Sequence, residues 1–269
     1  MPERDIPEEV TGAFATPPVP MAALVTGGAR RIGRALVLAL ADAGYAVAIH
    51  HHRSHAEADA LVGQIAAAGK KAVAFAADLA DEAAVTELLP RAAALFGPIG
   101  VLVNNASIFG NDTVPTVKRD GWDAHFAVNL RAPFVLTQEF AALLPREMGG
   151  VIVNLLDERV WNLTPYFVSY TLTKSALWTL TRTAALALAP RIRVNGIGPG
   201  PTLPSPRQSP EQFAARCRAM PLKRGTSPDE IGAALRFILA APAMTGQMIA
   251  LDGGEHLGWA QSGEAAVIE

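Results

Sequence analysis

The sequence has few of the residues that mark disulfide-rich, nucleic-acid-binding or metal-clustered proteins. Among its 269 residues there is one cysteine, Cys217, which excludes an intramolecular disulfide and a cysteine zinc cluster. Charged residues make up 18% of the chain and the formal net charge is −2, so it lacks the basic footprint of a nucleic-acid partner. Aromatic residues contribute only 6%. The single cysteine suits a protein of a reducing compartment.

Long apolar runs and export signals are lacking as well. The apolar run at 21–26 is far shorter than the roughly 20 residues that a membrane-spanning helix needs. The first 20 residues are rich in proline and have neither the basic start nor the apolar core of a signal peptide. We therefore expect a flexible proline-rich leader over 1–20, one folded domain over 21–269, a cytoplasmic location and no membrane partner.

From residue 21 onward, short apolar runs alternate with segments of helical periodicity. We predict strands at 22–25, 46–51, 72–76, 99–103, 151–156, 192–197 and 248–251. Helices are predicted at 31–43, 55–68, 82–96, 122–144, 169–188, 211–218 and 229–239. Repeated strand–helix–strand units indicate parallel strands with helices on both faces. The predicted fold class is α/β, a single doubly wound Rossmann domain with a parallel seven-stranded sheet.

A glycine-rich turn, TGGARRIG at 26–33, follows the first predicted strand. Glycines such as Gly27 and Gly33 let the backbone approach a pyrophosphate, and the helix that starts here directs its amides at that anion. An ordinary glycine-rich turn is the alternative. The position of the turn between a strand and a helix favours a dinucleotide site.

The end of the second predicted strand indicates which dinucleotide binds. Residues 50–54 are HHHRS, with no Asp or Glu to hold a ribose 2′-hydroxyl. Arg53 and Ser54 can instead bind a 2′-phosphate, and Arg31 offers a second guanidinium. A solvated basic loop is the alternative. We predict NADP(H) as the cofactor and no metal site, because successive side chains of a strand point to opposite faces.

A tyrosine and a lysine are spaced for convergence at the start of a strong helical segment. Tyr170 and Lys174 lie at positions i and i+4, which share one helix face. A nearby cation favours phenolate, so we expect Lys174 to lower the pKa of Tyr170. A surface pair is the common alternative. The order of a nucleotide turn, a strand ending at Asp157 and then this pair favours catalysis.

With these motifs in this order, the chain resembles the short-chain dehydrogenase/reductase family over 21–269. The resemblance implies that Tyr170 is the proton donor, that Lys174 holds the nicotinamide ribose, and that Asn129 supports a proton relay. It also implies a homotetramer. The cofactor contacts it implies are Gly27, Arg31, Ile32, Gly33, His52, Arg53, Ser54, Asp78, Leu79, Asn105, Ala106, Ser107, Lys174, Pro199 and Gly200.

Two departures from the common family pattern point to one branch. Arg31 stands where most members have glycine, and Asp157 stands where most have a catalytic serine. An ionised aspartate cannot donate a hydrogen bond to a ketone oxygen, which argues against the usual ketone chemistry. Both departures are shared with the pteridine reductases and dihydromonapterin reductases. The chain also resembles that branch at 52–54, 105–109 and 251–257.

The branch implies a set of substrate contacts, namely Ser107, Phe109, Arg31, Asp157 and Tyr170. Asp157 and Tyr170 would deliver a proton to a pterin ring nitrogen, and Phe109 would stack on the flat ring. A loop near 201–220 would cover the substrate. We expect an NADPH-dependent reductase of a dihydropterin-like substrate, a pteridine or folate. Alternatives are a carbonyl or imine reductase of another small cyclic substrate and a non-catalytic NADPH-sensing protein, which would not need Tyr170.

Overall fold

The last residues of the predicted leader contact the folded domain. The computed structural model describes residues 16–205 and 207–258. Residues 1–15 of the expected leader lie outside this part. The remainder of the leader packs on the domain: Gly149 donates its amide hydrogen to Pro18 O at 3.0 Å, and Val19 packs against the core. Residues 18 and 19 thus already contact the domain, and the division at residue 21 stays a prediction.

The sheet confirms the predicted doubly wound topology. Its strands are β1 Ala22–Val25, β2 Ala46–His51, β3 Ala72–Ala76, β4 Val101–Asn104, β5 Gly150–Leu155, β6 Ile192–Pro199 and β7 Met248–Leu251. They lie in the order β3-β2-β1-β4-β5-β6-β7, and each neighbouring pair is parallel. The strand order reverses between β1 and β4. Ligands of such sheets bind beyond the carboxyl ends of the strands at this switch point.

Helices cover both faces of the sheet. They are α1 Arg31–Asp42, α2 His55–Ala67, α3 Glu82–Thr86, α4 Leu88–Phe96, α5 Arg119–Phe126, α6 Ala132–Leu143, α7 Val168–Leu188, α8 Pro210–Ala219 and α9 Pro228–Ala240. Side chains of α1, α2 and α9 form one apolar cluster, and α4, α6 and α7 contribute to another. Burial on both faces explains the apolar strand sequences. Within the described residues, no helix is long and apolar enough to cross a membrane.

Two segments predicted as single helices are interrupted, and a proline explains each interruption. The helix predicted at 82–96 divides into α3 and α4 around Glu87, because Pro90 has no N–H to donate to the carbonyl four residues earlier. The helix predicted at 122–144 contains a wider π-helical turn, Ala127–Arg131. This turn lies directly before Pro133, whose ring would clash with the carbonyl of Asn129 in a regular α-helix.

Candidate active site

The turn after β1 is held by a buried histidine. Gly27 has a φ of +61° and donates its amide hydrogen to Nδ1 of His50 at 3.1 Å. The other ring nitrogen, Nε2, lies 3.1 Å from Ala77 O, so Nε2 carries the hydrogen and Nδ1 accepts. Burial lowers the pKa of His50 to about 4, which keeps the ring neutral. His50 thus positions the cofactor turn, a role the sequence did not indicate because it showed only a run of histidines.

An asparagine beyond β4 supports the same turn. Asn105 donates from Nδ2 to Thr26 O at 2.8 Å and to Gly27 O at 3.0 Å. A Cβ on Gly33 would lie 2.1 Å from Gly27 O and 2.7 Å from the Asn105 amide nitrogen. Gly33 is therefore required for close packing between the turn and α1. Ala106 adds a backbone N–H to the Thr26 hydroxyl at 3.0 Å.

The residues at the start of α1 fit the phosphates of a dinucleotide. Arg30, the residue that caps α1, makes no side-chain cap hydrogen bond, and the first helical turn carries no acidic residue. The first backbone N–H groups of α1 can therefore donate to a bound ligand, and the helix dipole favours an anion at this end. The positive φ of Gly27 and the close fit at Gly33 bring the backbone within reach of such an anion.

The residues predicted for the adenosine end lie at the carboxyl ends of β2 and β3. His52 and Arg53 are exposed, and His52 Nε2 lies 3.8 Å from Asp78 Oδ2. Leu79 is buried in the core, which leaves its backbone as the part available to a ligand. The phosphate contact predicted for Arg53 and Ser54 stays a prediction.

Arg31 lies elsewhere, at the loop after β6 that is predicted to cover the substrate. Its guanidinium donates to Pro204 O at 3.1 Å and to Leu203 O at 3.3 Å. The residue has a φ of 53°, a left-handed conformation that is uncommon for a side chain of this size. Arg31 therefore links the cofactor turn to the loop, and its predicted contact with a 2′-phosphate stays a prediction.

The predicted catalytic residues meet where β5 ends and α7 begins. The Tyr170 hydroxyl donates to Asp157 Oδ2 at 2.6 Å. One helical turn later, Lys174 donates from Nζ to Leu155 O at 2.6 Å. Tyr170 and Lys174 are both buried. The i, i+4 spacing thus places the phenol and the ammonium beside the same strand end.

The electrostatics of this group correct the expectation for Tyr170. Burial and then the Asp157 carboxylate raise the pKa of Tyr170 well above its usual value. The expected lowering by Lys174 is wrong for this arrangement, because Lys174 directs its ammonium at Leu155 O while a carboxylate accepts the phenolic hydrogen. Burial also lowers the pKa of Lys174 to about 8.

A distant aspartate sets the start of α7. Phe167, which precedes the helix, has a left-handed φ of 57° and makes no side-chain cap hydrogen bond. Asp112 instead accepts from the Ser169 amide at 3.1 Å and from the Ser169 hydroxyl. This contact supplies the cap that places Tyr170. The sequence carried no signal for it, since 57 residues separate the partners.

Asn129 braces the segment that follows β4. Its Oδ1 accepts from the Ile108 amide at 2.8 Å, and its Nδ2 donates to Ile108 O at 3.0 Å. Nδ2 also lies 3.2 Å from the Thr173 hydroxyl oxygen on α7. Asn129 is 1% exposed, and its two bonds fix the backbone of Ile108, the residue before Phe109. The role predicted for Asn129 in a proton relay stays a prediction.

A cavity of about 230 Å³ connects these parts. Predicted site residues that line it are Arg31, Ile32, Asn105, Ser107, Phe109, Asp157, Tyr170, Lys174, Pro199 and Gly200. Predicted residues outside this lining are Gly27, Gly33, His52, Arg53, Ser54, Asp78, Leu79, Ala106 and Asn129. Phe109 stacks on Phe167 with ring centroids 4.4 Å apart, and it meets Tyr170 edge to face at 4.7 Å. The wall beside the phenol is therefore aromatic.

Charged residues that the sequence interpretation missed also line the cavity. Arg207 donates to Phe109 O at 3.3 Å and lies 5.1 Å from that ring centroid. Glu158, Arg159 and Arg216 form the wall next to Asp157. Burial raises the pKa of Glu158 to about 9. The position of Glu158 directly after Asp157 could have indicated a second carboxyl group at the site. Its burial could not be predicted, because burial depends on the tertiary structure.

The fold, the glycine-rich turn and the Tyr170–Lys174 pair define a class of enzyme. The family model for short chain dehydrogenases matches residues 21–213, and the chain belongs to this family of oxidoreductases. A structure of FolM alternative dihydrofolate reductase 1 from Brucella canis, complexed with NADP, is 49% identical with a TM-score of 0.87. The match covers 90% of this chain and 96% of that chain.

Curated relatives carry other names. An uncharacterized oxidoreductase of Mycobacterium tuberculosis is 38% identical over 241 residues, which are 86% of this chain and 90% of that protein. A 3-oxoacyl-[acyl-carrier-protein] reductase of Synechocystis is 33% identical over 236 residues, 86% of this chain and 95% of that protein. Of these two relatives, only the second carries a substrate in its name.

Proposed function

We propose that the protein is an NADPH-dependent reductase of a dihydropterin-like substrate, a pteridine or a folate. The observation that carries the proposal is the 2.6 Å hydrogen bond between Tyr170 and Asp157 at the wall of the cavity. A carboxylate here cannot donate to a substrate oxygen, but it can hold and resupply the proton of the phenol. The similarity to a dihydrofolate reductase complexed with NADP supports this substrate class.

The chain's own residues suit the cofactor. Gly27, Gly33 and the first amides of α1 would hold its diphosphate, and Arg53 would bind the 2′-phosphate. Lys174 would hold the ribose next to the nicotinamide. When bound, NADPH supplies a hydride to the substrate.

Reduction of a C=N bond requires a hydride at carbon and a proton at nitrogen. Tyr170 gives its hydroxyl proton to the ring nitrogen of the substrate. The side chain of Asp157 is 20% exposed, so it can take a proton from solvent and return it to the phenolate. The net reaction consumes one hydride and one proton, and Tyr170 and Asp157 end as they began.

The aromatic wall favours a flat substrate. Phe109 lines the cavity and its ring lies edge to face with Tyr170. A planar heterocycle against Phe109 would present a ring nitrogen to the Tyr170 hydroxyl. Arg31 and Arg207 extend from the turn and the loop at the same cavity, where polar ring substituents can accept their hydrogens.

A second candidate is reduction of a 3-oxoacyl thioester. The 33% identical relative with that activity in its name favours it. Asp157 opposes it, because this carboxylate stands where most family members have a serine, and an ionised carboxylate cannot donate a second hydrogen bond to the ketone oxygen.

The test is a spectrophotometric assay of cofactor oxidation with dihydrobiopterin, dihydromonapterin, dihydrofolate and an acetoacetyl thioester. Each substrate is offered with NADPH and with NADH. We expect turnover of at least one dihydropterin or dihydrofolate, with NADPH preferred. Turnover of the thioester without turnover of any pterin would overturn the proposal. A preference for NADH would overturn the cofactor assignment.

We also propose the homotetramer that the family resemblance implies. Apolar side chains on α6 and α7 support an interface there, since Leu143, Leu172 and Leu186 are 46%, 44% and 84% exposed. Sedimentation equilibrium of the intact chain tests this assembly, and a monomer at micromolar concentration would contradict it.

A further inference from the structure

Glu158 follows Asp157 and begins a short 3₁₀ turn, Glu158–Val160, at the cavity wall. Its side chain is only 3% exposed. Around it lie two further carboxylates, Asp157 and Glu255, and two guanidinium groups, Arg159 and Arg216. Three carboxyl groups thus share a poorly solvated cluster with two cations.

The contacts within this cluster are uneven. Arg216 Nη2 lies 3.1 Å from Glu255 Oε1 but 3.9 Å from Glu158 Oε1, which is beyond hydrogen-bonding distance. The second oxygen of Glu158, Oε2, is buried and has no hydrogen-bond partner among the described residues. An anionic oxygen without a donor is costly in such a place, whereas a neutral carboxyl is tolerated more easily.

The charges around Glu158 agree with this geometry. Burial, and then the charges of Asp157 and Glu255, raise the pKa of Glu158 well above the usual range of a glutamate. Arg159 and Arg216 oppose the effect without cancelling it. The arrangement retains a proton at the residue next to the proposed proton relay.

On the basis of the proposed function, we propose that Glu158 serves the reaction as a neutral carboxylic acid. It acts as a positioning residue. A neutral Glu158 does not compete with Glu255 for the Arg216 guanidinium. The Arg216–Glu255 ion pair then connects α8 to the short turn Glu255–Leu257. A neutral Glu158 also leaves the Asp157 carboxylate beside Tyr170 without a second anion next to it in the chain.

Ionisation of Glu158 would disturb both arrangements. A negative charge at Glu158 raises the pKa of Tyr170 further, so the phenol gives up its proton less readily. It also draws Arg216 away from Glu255 and loosens α8 over the cavity. Turnover should therefore fall as Glu158 loses its proton at alkaline pH.

The kinetic test compares Glu158→Gln with the wild type from pH 7 to pH 10, using any substrate that the enzyme reduces. The amide cannot ionise. With the wild-type pKa at about 9, the ratio of kcat for the variant to kcat for the wild type should rise about tenfold over this range. Lys174 titrates in both proteins and cancels in the ratio. Glu147→Gln, the same change at an exposed site, should leave the profile unchanged. A constant ratio for Glu158→Gln overturns the proposal.

A second measurement needs no substrate and separates this proposal from the substrate assignment. Because the folded pKa of Glu158 lies above its unfolded value, the native state binds the extra proton between about pH 4.5 and 9. The wild type should therefore lose stability relative to Glu158→Gln as pH rises through this window. The difference is measured as the free energy of unfolding of the variant minus that of the wild type, which should increase. Parallel profiles overturn the proposal even if pterins are reduced.

If Glu158→Gln does not fold, the same question can be answered by carboxyl ¹³C NMR of the wild type, which follows the titration of each glutamate. One glutamate resonance that persists in Glu255→Gln should titrate well above pH 7. Titration of every glutamate below pH 7 overturns the proposal.

Discussion

The Tyr170 hydroxyl donates its hydrogen to Asp157 Oδ2 at 2.6 Å, and both side chains line one cavity. This bond joins the start of α7 to the end of β5. Burial first, and then this carboxylate, raise the pKa of Tyr170 and keep the phenol neutral. In the proposed reaction, proton delivery therefore depends on both residues of the pair.

We expect Asp157→Asn and Tyr170→Phe each to reduce kcat for a dihydropterin by a factor of about 10² to 10⁴, the usual contribution of a general acid. The double variant should be little worse than either single variant, because the two residues act as one unit. Stopped-flow measurement of NADPH oxidation in a single turnover checks both expectations.

The matched control for this pair is Asp123→Asn. Asp123 forms an exposed ion pair with Arg119 on α5, away from the cavity lining, and such pairs contribute little. If the two single effects multiply in the double variant, Asp157 and Tyr170 act independently and the relay is wrong.

His50 should make stability depend on acid pH. Its folded pKa is about 4 against an ordinary value of 6.5, so the unfolded chain binds more protons between these values. Stability should therefore fall as pH falls from about 6.5 to 4, by up to about 3 kcal/mol. Replacement by Gln removes this titration. Urea unfolding of His50→Gln at several pH values should show a weaker acid dependence than the wild type.

His55→Gln is the control, since His55 is exposed at the start of α2. Its ring contacts that of His51 and not that of His50, so this variant should retain the part of the acid dependence that His50 contributes. If His50→Gln loses stability in parallel with the wild type on acidification, burial does not keep the ring of His50 neutral in the folded protein.

Arg31 should govern the substrate loop. Arg31→Ala removes both hydrogen bonds to Leu203 O and Pro204 O. Charge-assisted bonds contribute about 1.5–3 kcal/mol when buried and less when exposed. We therefore expect KM for the substrate to rise about tenfold or less and amide exchange at 201–205 to quicken.

A second substitution separates the loop contact from backbone strain. Arg31→Gly loses the same hydrogen bonds but relieves the left-handed φ of 53°, so it should be more stable than Arg31→Ala by about 1 kcal/mol. Arg34→Ala, which removes an exposed bond to Gln64, is the control for the loss of a guanidinium on α1. Unchanged loop exchange in both Arg31 variants would contradict the role of Arg31.

Local pattern was sufficient for most of the fold. The bounds predicted for β1, β2, β3 and β7 agree with the structure. These strands are short apolar runs between turn residues, and that pattern depends on neighbours in the chain. The interruptions before Pro90 and Pro133 were not predicted. The helical apolar pattern continues through both segments, although each proline lacks the N–H group that a regular helix needs.

The motif order also determined the family, the glycine-rich turn and the convergence of Tyr170 with Lys174, since each rests on residues close together in sequence. Only the tertiary structure decided that His50 holds Gly27, that Asp112 caps α7, and that Glu158 lies buried beside Asp157. Hydrogen bonds between residues far apart in the chain produce no sequence pattern from which they could be predicted. The pKa of a side chain follows from its burial and from the charges around it, and these exist only once the sheet has brought its strand ends together.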